Sequence, residues 1–410
     1  MEKSQLSDSI SPIYYDLLFE PDLANFTFKG TTKIKIKLKK PSSQITLNSS
    51  ELKIKNAKII HNNKTHNAKI GVNEKEETLS LKTSEPISKE ATIEIEFEGI
   101  LNDKLSGFYR SKYMQNEKEK YLATTQFEAP YARQAFPCFD QPDKKAVFSV
   151  SLLIQKDLKA ISNMPIVSET KKENKKLVKF EETPQMSTYL LYMGVGDFEF
   201  IESKLRDIKI RIVTLPGKSK EGKFALELTK KFLSYFEKYS KIPYPLPKLD
   251  MIAIPDFNAG AMENWGAITF REILLLFNPE KTSLPVKKRI AEVIAHELWH
   301  QWSGNLVTMK WWNDLWLNES FATYMAYKAV DNYFPEWHMW EDFVSDSTGG
   351  AMDADMLKTT HPIAVKVSSP NEIEEIFDEI SYGKGGSVLR MIESYLGEET
   401  FRTGVSNYLK

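Results

Sequence analysis

The strongest constraint on the fold is a change in the spacing of apolar residues along the chain. Over residues 14–201, apolar and polar residues alternate in many short runs, as around Ile93 and Ile95. Alternation with period two is typical of strands that bury one face. Farther on, the spacing becomes helical, with Phe224 and Leu228 four residues apart. The pattern predicts an N-terminal antiparallel β domain, built as a saddle or sandwich of sheets, followed by a mixed, mostly helical domain.

The change of period gives the domain boundary. A short strand is predicted over residues 208–212, and the helix after it should end at the prolines of 243–247. Residues 249–254 and 267–270 also have the character of strands, whereas almost everything from residue 285 onward is helical in spacing. We therefore expect a β domain over residues 1–204 and a second domain over residues 205–410.

Composition excludes several classes of function. The 410 residues include 55 Lys and Arg against 56 Asp and Glu, so no net field attracts nucleic acid or an anionic membrane. No segment approaches the roughly 18 uninterrupted apolar residues of a membrane span, and residues 1–12 lack the apolar core of a signal peptide. The single cysteine, Cys138, lies among apolar residues and suits a reducing compartment. These features predict a cytoplasmic protein without nucleic-acid or membrane partners.

A metal-binding motif lies in the helical half. Residues 296–300 are H-E-L-W-H, which places His296 and His300 one turn apart on the same helix face. Both imidazoles can then reach one ion, and Glu297 can reach the water that the ion activates. Two unrelated surface histidines on a helix are the alternative. The motif favours a zinc hydrolase with Glu297 as general base.

A catalytic zinc ion needs a third protein ligand. The metzincin arrangement would require Gly at position 303 and His at 306, but the chain has Ser303 and Leu306. Glu319 opens the next predicted helix and could complete a His2Glu set. Taken alone, Glu319 would be an ordinary acidic residue in a first helical turn. With the two histidines, it predicts one zinc ion per chain and hydrolysis, most simply of an amide bond.

The loop Gly260, Ala261, Met262, Glu263 and Asn264 precedes the metal motif. Together with H-E-x-x-H, and with a glutamate eighteen intervening residues after the second histidine, this loop resembles the zinc aminopeptidase family of aminopeptidase N, puromycin-sensitive aminopeptidase and leukotriene hydrolase. The resemblance extends through residues 125–128, 135–140, 304–309, 311–319 and 380–385. Within the family, the chain is most similar to archaeal factors that trim peptides downstream of the tricorn protease.

The resemblance implies a thermolysin-like catalytic domain and a role for several residues. Glu263 and Glu128 would bind the free α-ammonium of a peptide, which limits the family to removing N-terminal residues. The Gly260 and Ala261 backbone would lie along the substrate, with Met262 and Asn264 in the same loop, and the Tyr382 hydroxyl would stabilise the oxyanion.

Some residues depart from the family pattern or match no part of it. Trp299 stands where the family often has a small residue, and Ser303 where an aromatic is common. The resemblance therefore does not determine which N-terminal side chain of a peptide the site would prefer. Five tryptophans around the motif should pack around the zinc helices rather than contact substrate: Trp299, Trp302, Trp311, Trp312 and Trp316. The remaining histidines are assigned no role: His61, His66, His338 and His361.

Two alternatives remain open from the sequence. The same zinc site supports epoxide hydrolysis in leukotriene hydrolase. In a different class, the chain would be an inactive or weakly active fragment that serves as a binding or assembly module. Phe401, Val405 and Leu409 form an apolar stripe before the final Lys410. Because the family continues with further helices, we expect an incomplete catalytic domain whose exposed stripe binds the missing C-terminal portion, a second copy or a proteolytic complex.

Overall fold

The computed structural model describes residues 5–410 and divides them into two compact units. The first unit runs to Phe198 and includes Pro255–Asn258; the second comprises Glu199–Ile254 and Ala259–Lys410. Residues 1–4, at the start of the segment predicted to lack a signal peptide, lie outside the described residues. Along residues 5–410, no helix combines the length and the apolar character needed to cross a bilayer.

The first unit is built almost entirely of strands, as the period-two alternation predicts. In chain order, the strands are β1 (Ile10–Asp22), β2 (Thr27–Leu38), β3 (Ser42–Asn48), β4 (Lys53–His61), β5 (Lys64–Asn67), β6 (Lys69–Asn73), β7 (Thr78–Ile87), β8 (Glu90–Ile100), β9 (Gly107–Gln115), β10 (Lys118–Gln126), β11 (Val147–Gln155), β12 (Lys159–Ser162), β13 (Ile166–Lys172), β14 (Lys175–Phe180) and β15 (Met193–Gly196).

These strands form three open sheets. The eight-stranded sheet has the order β13-β14-β11-β1-β2-β8-β4-β5, the four-stranded sheet β12-β15-β10-β9, and the three-stranded sheet β3-β7-β6. The prediction of antiparallel pairing is wrong for β1 and β11, which run parallel with Tyr14 opposite Val147. Alternation specifies which face of a strand is buried but not the direction of its neighbour, and the long chain between β1 and β11 permits the crossover that a parallel pair needs.

Aromatic side chains form the core of the first unit. Tyr15 stacks on Phe148 with ring centroids 4.7 Å apart, and Phe19 meets Phe136 edge to face. Cys138 is fully buried and unbonded to another cysteine, and burial raises the pKa of its thiol well above the usual value. A buried thiol of this kind is inert, as its apolar sequence context predicts.

The second unit combines one sheet with helices. Its strands are β16 (Glu199–Leu205), β17 (Ile208–Thr214), β18 (Lys248–Ile254), β19 (Ala261–Met262) and β20 (Ala267–Arg271). Its helices are α1 (Lys223–Ser240), α2 (Leu284–His300), α3 (Trp316–Tyr333), α4 (Met339–Asp342), α5 (Gly349–Asp355), α6 (Pro370–Glu375), α7 (Gly385–Leu396) and α8 (Glu398–Tyr408). Short π-helical turns occupy Phe343–Thr348 and Ile380–Lys384.

The sheet of the second unit has the order β16-β17-β18-β20-β19, with β17, β18 and β20 parallel. Strand β18 is buried along its whole length, as central parallel strands are when both faces are covered. Helix α2 packs on α1 through aromatic rings: Trp299 lies against Phe236 and Tyr239, and Trp302 against Phe236. The prediction that Trp299 and Trp302 pack around the helices is therefore confirmed.

The predicted exposure of the C-terminal apolar stripe is wrong. Phe401, Val405 and Leu409 are 6%, 5% and 2% exposed, respectively. The ring of Phe401 meets Tyr324 of α3 edge to face, and Ser406 Oγ donates a hydrogen bond to the Ser240 carbonyl at the end of α1. Because α1 and α3 cover the stripe, it offers no surface to a partner.

Candidate metal centre

Helix α2 places the two histidines of the motif side by side. It begins after Ser283, with a proline in its first turn, and ends at His300. The side chains of His296 and His300 project from the same face, and their Nε2 atoms lie 3.0 Å apart. Gly304 turns the chain sharply beyond the helix with φ +137°, a conformation that other residues rarely adopt.

The third predicted ligand reaches the same point from the next helix. Glu319 lies in the first turn of α3, and its Oε2 is 3.2 Å from His296 Nε2 and 3.5 Å from His300 Nε2. The three donor atoms lie within 4.8 Å of one another. Two imidazole nitrogens and one carboxylate oxygen match the donors of three-ligand metal sites that leave one position open. The structure thus brings the predicted ligands together as a candidate metal centre.

Residues beyond the three donors orient them. The Nδ1 of His300 lies 3.0 Å from the Ser303 carbonyl, which can only accept, so Nδ1 carries a proton and Nε2 is the nitrogen that offers a lone pair when the ring is neutral. Ser303 Oγ in turn donates to the Leu317 carbonyl at the start of α3. Ser303 therefore connects the end of one ligand helix to the beginning of the next.

Two further carboxylates are buried in the second unit near these donors. Glu297 is 6% exposed and Glu263 is 2% exposed, and Glu297 Oε2 and Glu263 Oε1 have no hydrogen-bond partner among the described residues. Burial raises the pKa of Glu263 to about 6 and that of Glu297 well above its usual value, and negative neighbours add to both shifts. Unpaired buried carboxylate oxygens are costly, and they indicate a place where a ligand binds.

Burial and neighbouring charges give the two histidines and Glu319 different protonation states. Burial lowers the pKa of His296 to about 4. Burial also lowers that of His300, but the Glu263 and Glu319 carboxylates outweigh it and raise the His300 pKa well above its usual value. Burial acts to raise the Glu319 pKa, yet His300 and His296 bring it below the normal range. Without a metal, His300 is therefore positively charged and Glu319 is negatively charged.

The loop that bears Glu263 is attached to the segment that directly follows helix α2. Gln301 Nε2 and Asn305 Nδ2 both donate to the Glu263 carbonyl, at 3.2 and 2.8 Å. Gln301 Oε1 also accepts from the Gly266 amide at 3.4 Å. Gln301 and Asn305 are fully buried. Neither residue was predicted from the sequence; Gln301 directly follows a predicted ligand, which is the only signal that could have pointed to it.

Other residues of the loop have structural partners. Ala261 and Met262 form β19 and pair with β20, Ala261 lying opposite Phe270. The Gly260 carbonyl accepts from the Arg271 amide at 2.9 Å. Asn264 Nδ2 donates to Thr269 Oγ1 at 3.1 Å. The loop is thus held along β20 in a defined conformation.

Tyr382 lies at the same centre. It belongs to the π-helical turn Ile380–Lys384, and its ring is nearly parallel to that of His296, with an angle of 10° and centroids 5.9 Å apart. The aromatic contact places Tyr382 beside a predicted ligand, although the two residues are far apart in sequence.

Comparison with known proteins agrees with this geometry. Residues 224–410 match the peptidase family M1 domain, and residues 11–190 match the peptidase M1 N-terminal domain. The chain belongs to peptidase family M1. The M1 N-terminal match lies within the β-rich first unit, and the M1 domain match lies within the second, helical part of the chain.

Named M1 relatives are similar along almost the whole chain. The leucyl aminopeptidase of Saccharolobus solfataricus is 47% identical over 397 residues, which are 97% of this chain and 48% of that protein. The alanine/arginine aminopeptidase of Saccharomyces cerevisiae is 46% identical over 416 residues, which cover 100% of this chain and 48% of that protein. Aminopeptidase M1 of Arabidopsis thaliana is 46% identical over 406 residues, which cover 97% of this chain and 46% of that protein. The chain spans about half the length of these relatives.

One residue predicted from the M1 resemblance precedes all the others in the sequence. Glu128 belongs to the first unit and directly follows β10, where its carbonyl accepts from Gln126 Nε2 at 3.1 Å. Its role in binding an ammonium group stays a prediction. The ten other predicted site residues belong to the second unit: Gly260, Ala261, Met262, Glu263, Asn264, His296, Glu297, His300, Glu319 and Tyr382.

Proposed function

We propose that this M1 chain is a zinc-dependent aminopeptidase that releases one residue at a time from the free N-terminus of short peptides. The observation that carries the proposal is the arrangement of His296, His300 and Glu319, whose donor atoms meet beside two buried carboxylates with unpaired oxygens. The names of the three relatives, all aminopeptidases, support the same activity.

The donor set fits zinc. Two neutral imidazoles and a carboxylate are a common hydrolytic zinc set, and the Ser303 carbonyl already selects the His300 tautomer that leaves Nε2 available. When bound, zinc would act as a Lewis acid and activate a water molecule. His296, His300 and Glu319 would hold it.

Glu297 would move the proton. It follows His296 directly, and its Oε2 has no hydrogen-bond partner among the described residues. Because burial raises its pKa, Glu297 is a stronger base than an exposed carboxylate and can hold a proton during the reaction. It would accept the proton of the attacking water at Oε2 and then deliver it to the leaving amine.

Glu263 would bind the α-ammonium of the peptide. An arriving ammonium would satisfy the unpaired Oε1 and, as an opposite charge, would lower the raised pKa of Glu263. Charge-assisted hydrogen bonds of this kind are the stronger class. A peptide with a blocked N-terminus would leave the buried carboxylate without a partner, so it would bind poorly.

Tyr382 would donate its hydroxyl to the oxyanion that forms on the scissile carbonyl. Such donors are typically worth on the order of a hundredfold or more in rate. The ring contact with His296 supports this assignment because it places Tyr382 beside the metal ligands.

Two secondary points concern the alternative function and the location of the protein. The reading of the chain as a binding module depended on an exposed C-terminal stripe, and Phe401, Val405 and Leu409 are buried. A cytoplasmic location is proposed because the one cysteine, Cys138, is free and buried, which suits a reducing compartment.

Replacement of the proposed base tests the function. Glu297→Gln should still bind about one zinc ion per chain, because Glu297 is not a ligand. Its kcat/KM on an unblocked aminoacyl fluorogenic amide should fall on the order of a hundred- to ten-thousandfold. Metal content and turnover are measured together, with exposed Glu280→Gln as the matched control. Undiminished turnover in Glu297→Gln would refute the assignment.

A further inference from the structure

The backbone around Tyr382 is held by hydrogen bonds from outside its own turn. Asp378 Oδ1 accepts from the amides of Ile380 and Ser381, each at 3.0 Å. These amides begin the turn that carries Tyr382, where helical segments leave their first N–H groups without an internal partner. A carboxylate at this position satisfies two of them and is favoured by the positive end of the turn.

A histidine fixes the other oxygen of the same carboxylate. His361 Nε2 donates to Asp378 Oδ2 at 2.8 Å, and His361 Nδ1 lies 2.8 Å from the Pro362 carbonyl. Both ring nitrogens are therefore engaged, and the ring binds the carboxylate oxygen of Asp378 that the two amides leave free. The side chains are only partly exposed, 18% for His361 and 35% for Asp378.

The peptide group immediately before Tyr382 is fixed at both ends. Ser320 Oγ, on the residue after the ligand Glu319, donates to the Ser381 carbonyl at 2.6 Å. The Tyr382 amide donates to the Asp378 carbonyl at 3.1 Å. Oxygen and nitrogen of one peptide plane thus bind to separate anchors, and that plane determines the direction in which the Tyr382 side chain leaves the backbone.

We propose that Asp378, oriented by His361, is a positioning residue that aims the Tyr382 hydroxyl during catalysis. The inference rests on the proposed aminopeptidase function. A tyrosine hydroxyl lies about 6.5 Å from its own Cα, so a rotation of the backbone by about 10° moves it by about 1 Å. A misplacement of about 1 Å can cost on the order of a hundredfold in rate.

A double-mutant cycle separates this role from a general contribution to the fold. Asp378→Ala should lower kcat on the order of tenfold to a hundredfold and change KM by less than about threefold. In a Tyr382→Phe background, the same substitution should change kcat by less than about twofold, because the hydroxyl that it positions is gone. His361→Ala should show the same pattern with a smaller loss, and Asp378→Asn should recover most of the rate because its oxygen still accepts the amides.

A second pair of residues gives the matched control. His338 and Glu341 form an exposed histidine–carboxylate pair at 3.5 Å in the same unit. His338→Ala and Glu341→Ala should leave kcat unchanged. Equal losses of kcat for Asp378→Ala in the wild-type and Tyr382→Phe backgrounds would overturn the proposal, as would no loss in either.

Amide hydrogen exchange tests the positioning without any assay of activity. Exchange at Ile380 and Ser381 should be faster in Asp378→Ala and in His361→Ala than in wild type, and unchanged in the control variants. Unchanged exchange would overturn the proposal even if activity fell. An inactive wild type with the expected exchange pattern would refute the proposed function alone.

Discussion

Gly385→Ala should destabilise the second unit, because a methyl group has no room at this position. Gly385 begins α7 with φ −62°, which alanine adopts freely, so the destabilisation comes only from steric overlap. A Cβ atom at Gly385 would lie 1.8 Å from Ser320 Oγ and 2.8 Å from Ser320 Cβ. The Ser320 side chain and part of α3 must therefore move, and the hydrogen bond from Ser320 to the Ser381 carbonyl must break.

The magnitude follows from these contacts. Leaving a buried carbonyl unpaired costs about 1–3 kcal/mol. Overpacking costs a further amount of about 1–3 kcal/mol. The higher helix propensity of alanine returns up to about 1 kcal/mol. The net loss in free energy of unfolding for Gly385→Ala is therefore expected near about 3 kcal/mol.

Urea unfolding followed by tryptophan fluorescence measures this loss, because every tryptophan of the chain lies between residues 265 and 340, in the second unit. Gly404→Ala in α8 is the matched control: a Cβ there meets nothing within 4 Å, so stability should rise slightly. Adding Ser320→Ala to Gly385→Ala removes the clashing oxygen, and the two losses should be less than additive. A Gly385→Ala protein as stable as the Gly404→Ala protein would refute the reasoning.

Three further predictions concern the metal centre and its surroundings. Asn305→Ala should loosen the Glu263 loop and reduce kcat/KM for unblocked substrates about tenfold, measured by steady-state kinetics; no change would show that Gln301 alone holds the loop. Zinc affinity of the metal-free protein should rise about tenfold per pH unit below the raised pKa of His300, because zinc must displace its proton; competition with a chromophoric chelator measures this, and a pH-independent affinity would contradict it. Asp250→Asn should cost about 3–5 kcal/mol in urea unfolding, because fully buried Asp250 pairs with buried Lys248; a loss below about 1 kcal/mol would show that the pair can relax.

The part of the site that follows most directly from the sequence depends on short-range spacing. His296 and His300 share a helix face because they are four residues apart, and the structure brings Glu319 to them from the next helix. The helical and strand patterns likewise depend on neighbours in sequence, and both domains show them. Local periodicity determines the helix face that the two histidines share and the patterns of strands and helices, so the sequence alone was sufficient to predict them. The approach of Glu319 depends instead on how the two helices pack.

The features that were missed or wrong depend on contacts between distant residues. His361 matched no motif, yet its ring binds Asp378. Asn305 donates a hydrogen bond to the backbone carbonyl of Glu263, which is distant in sequence. Every residue has a backbone carbonyl, so the sequence does not show which one accepts this bond. The C-terminal stripe was expected to be exposed because the sequence does not show which element packs against its apolar residues. Only the fold places α3 against Phe401 and the end of α1 against Ser406.

The proposed function requires that His296, His300 and Glu319 hold a zinc ion beside a carboxylate that recognises a free N-terminus. The most direct test titrates zinc into the metal-depleted protein and assays two peptides that differ only in N-terminal acetylation. Hydrolysis of the unblocked peptide should rise until one zinc ion is bound per chain and then level off, while the acetylated peptide stays intact. Equal cleavage of both peptides, or turnover that persists after a chelator has removed the zinc, would contradict the proposed function.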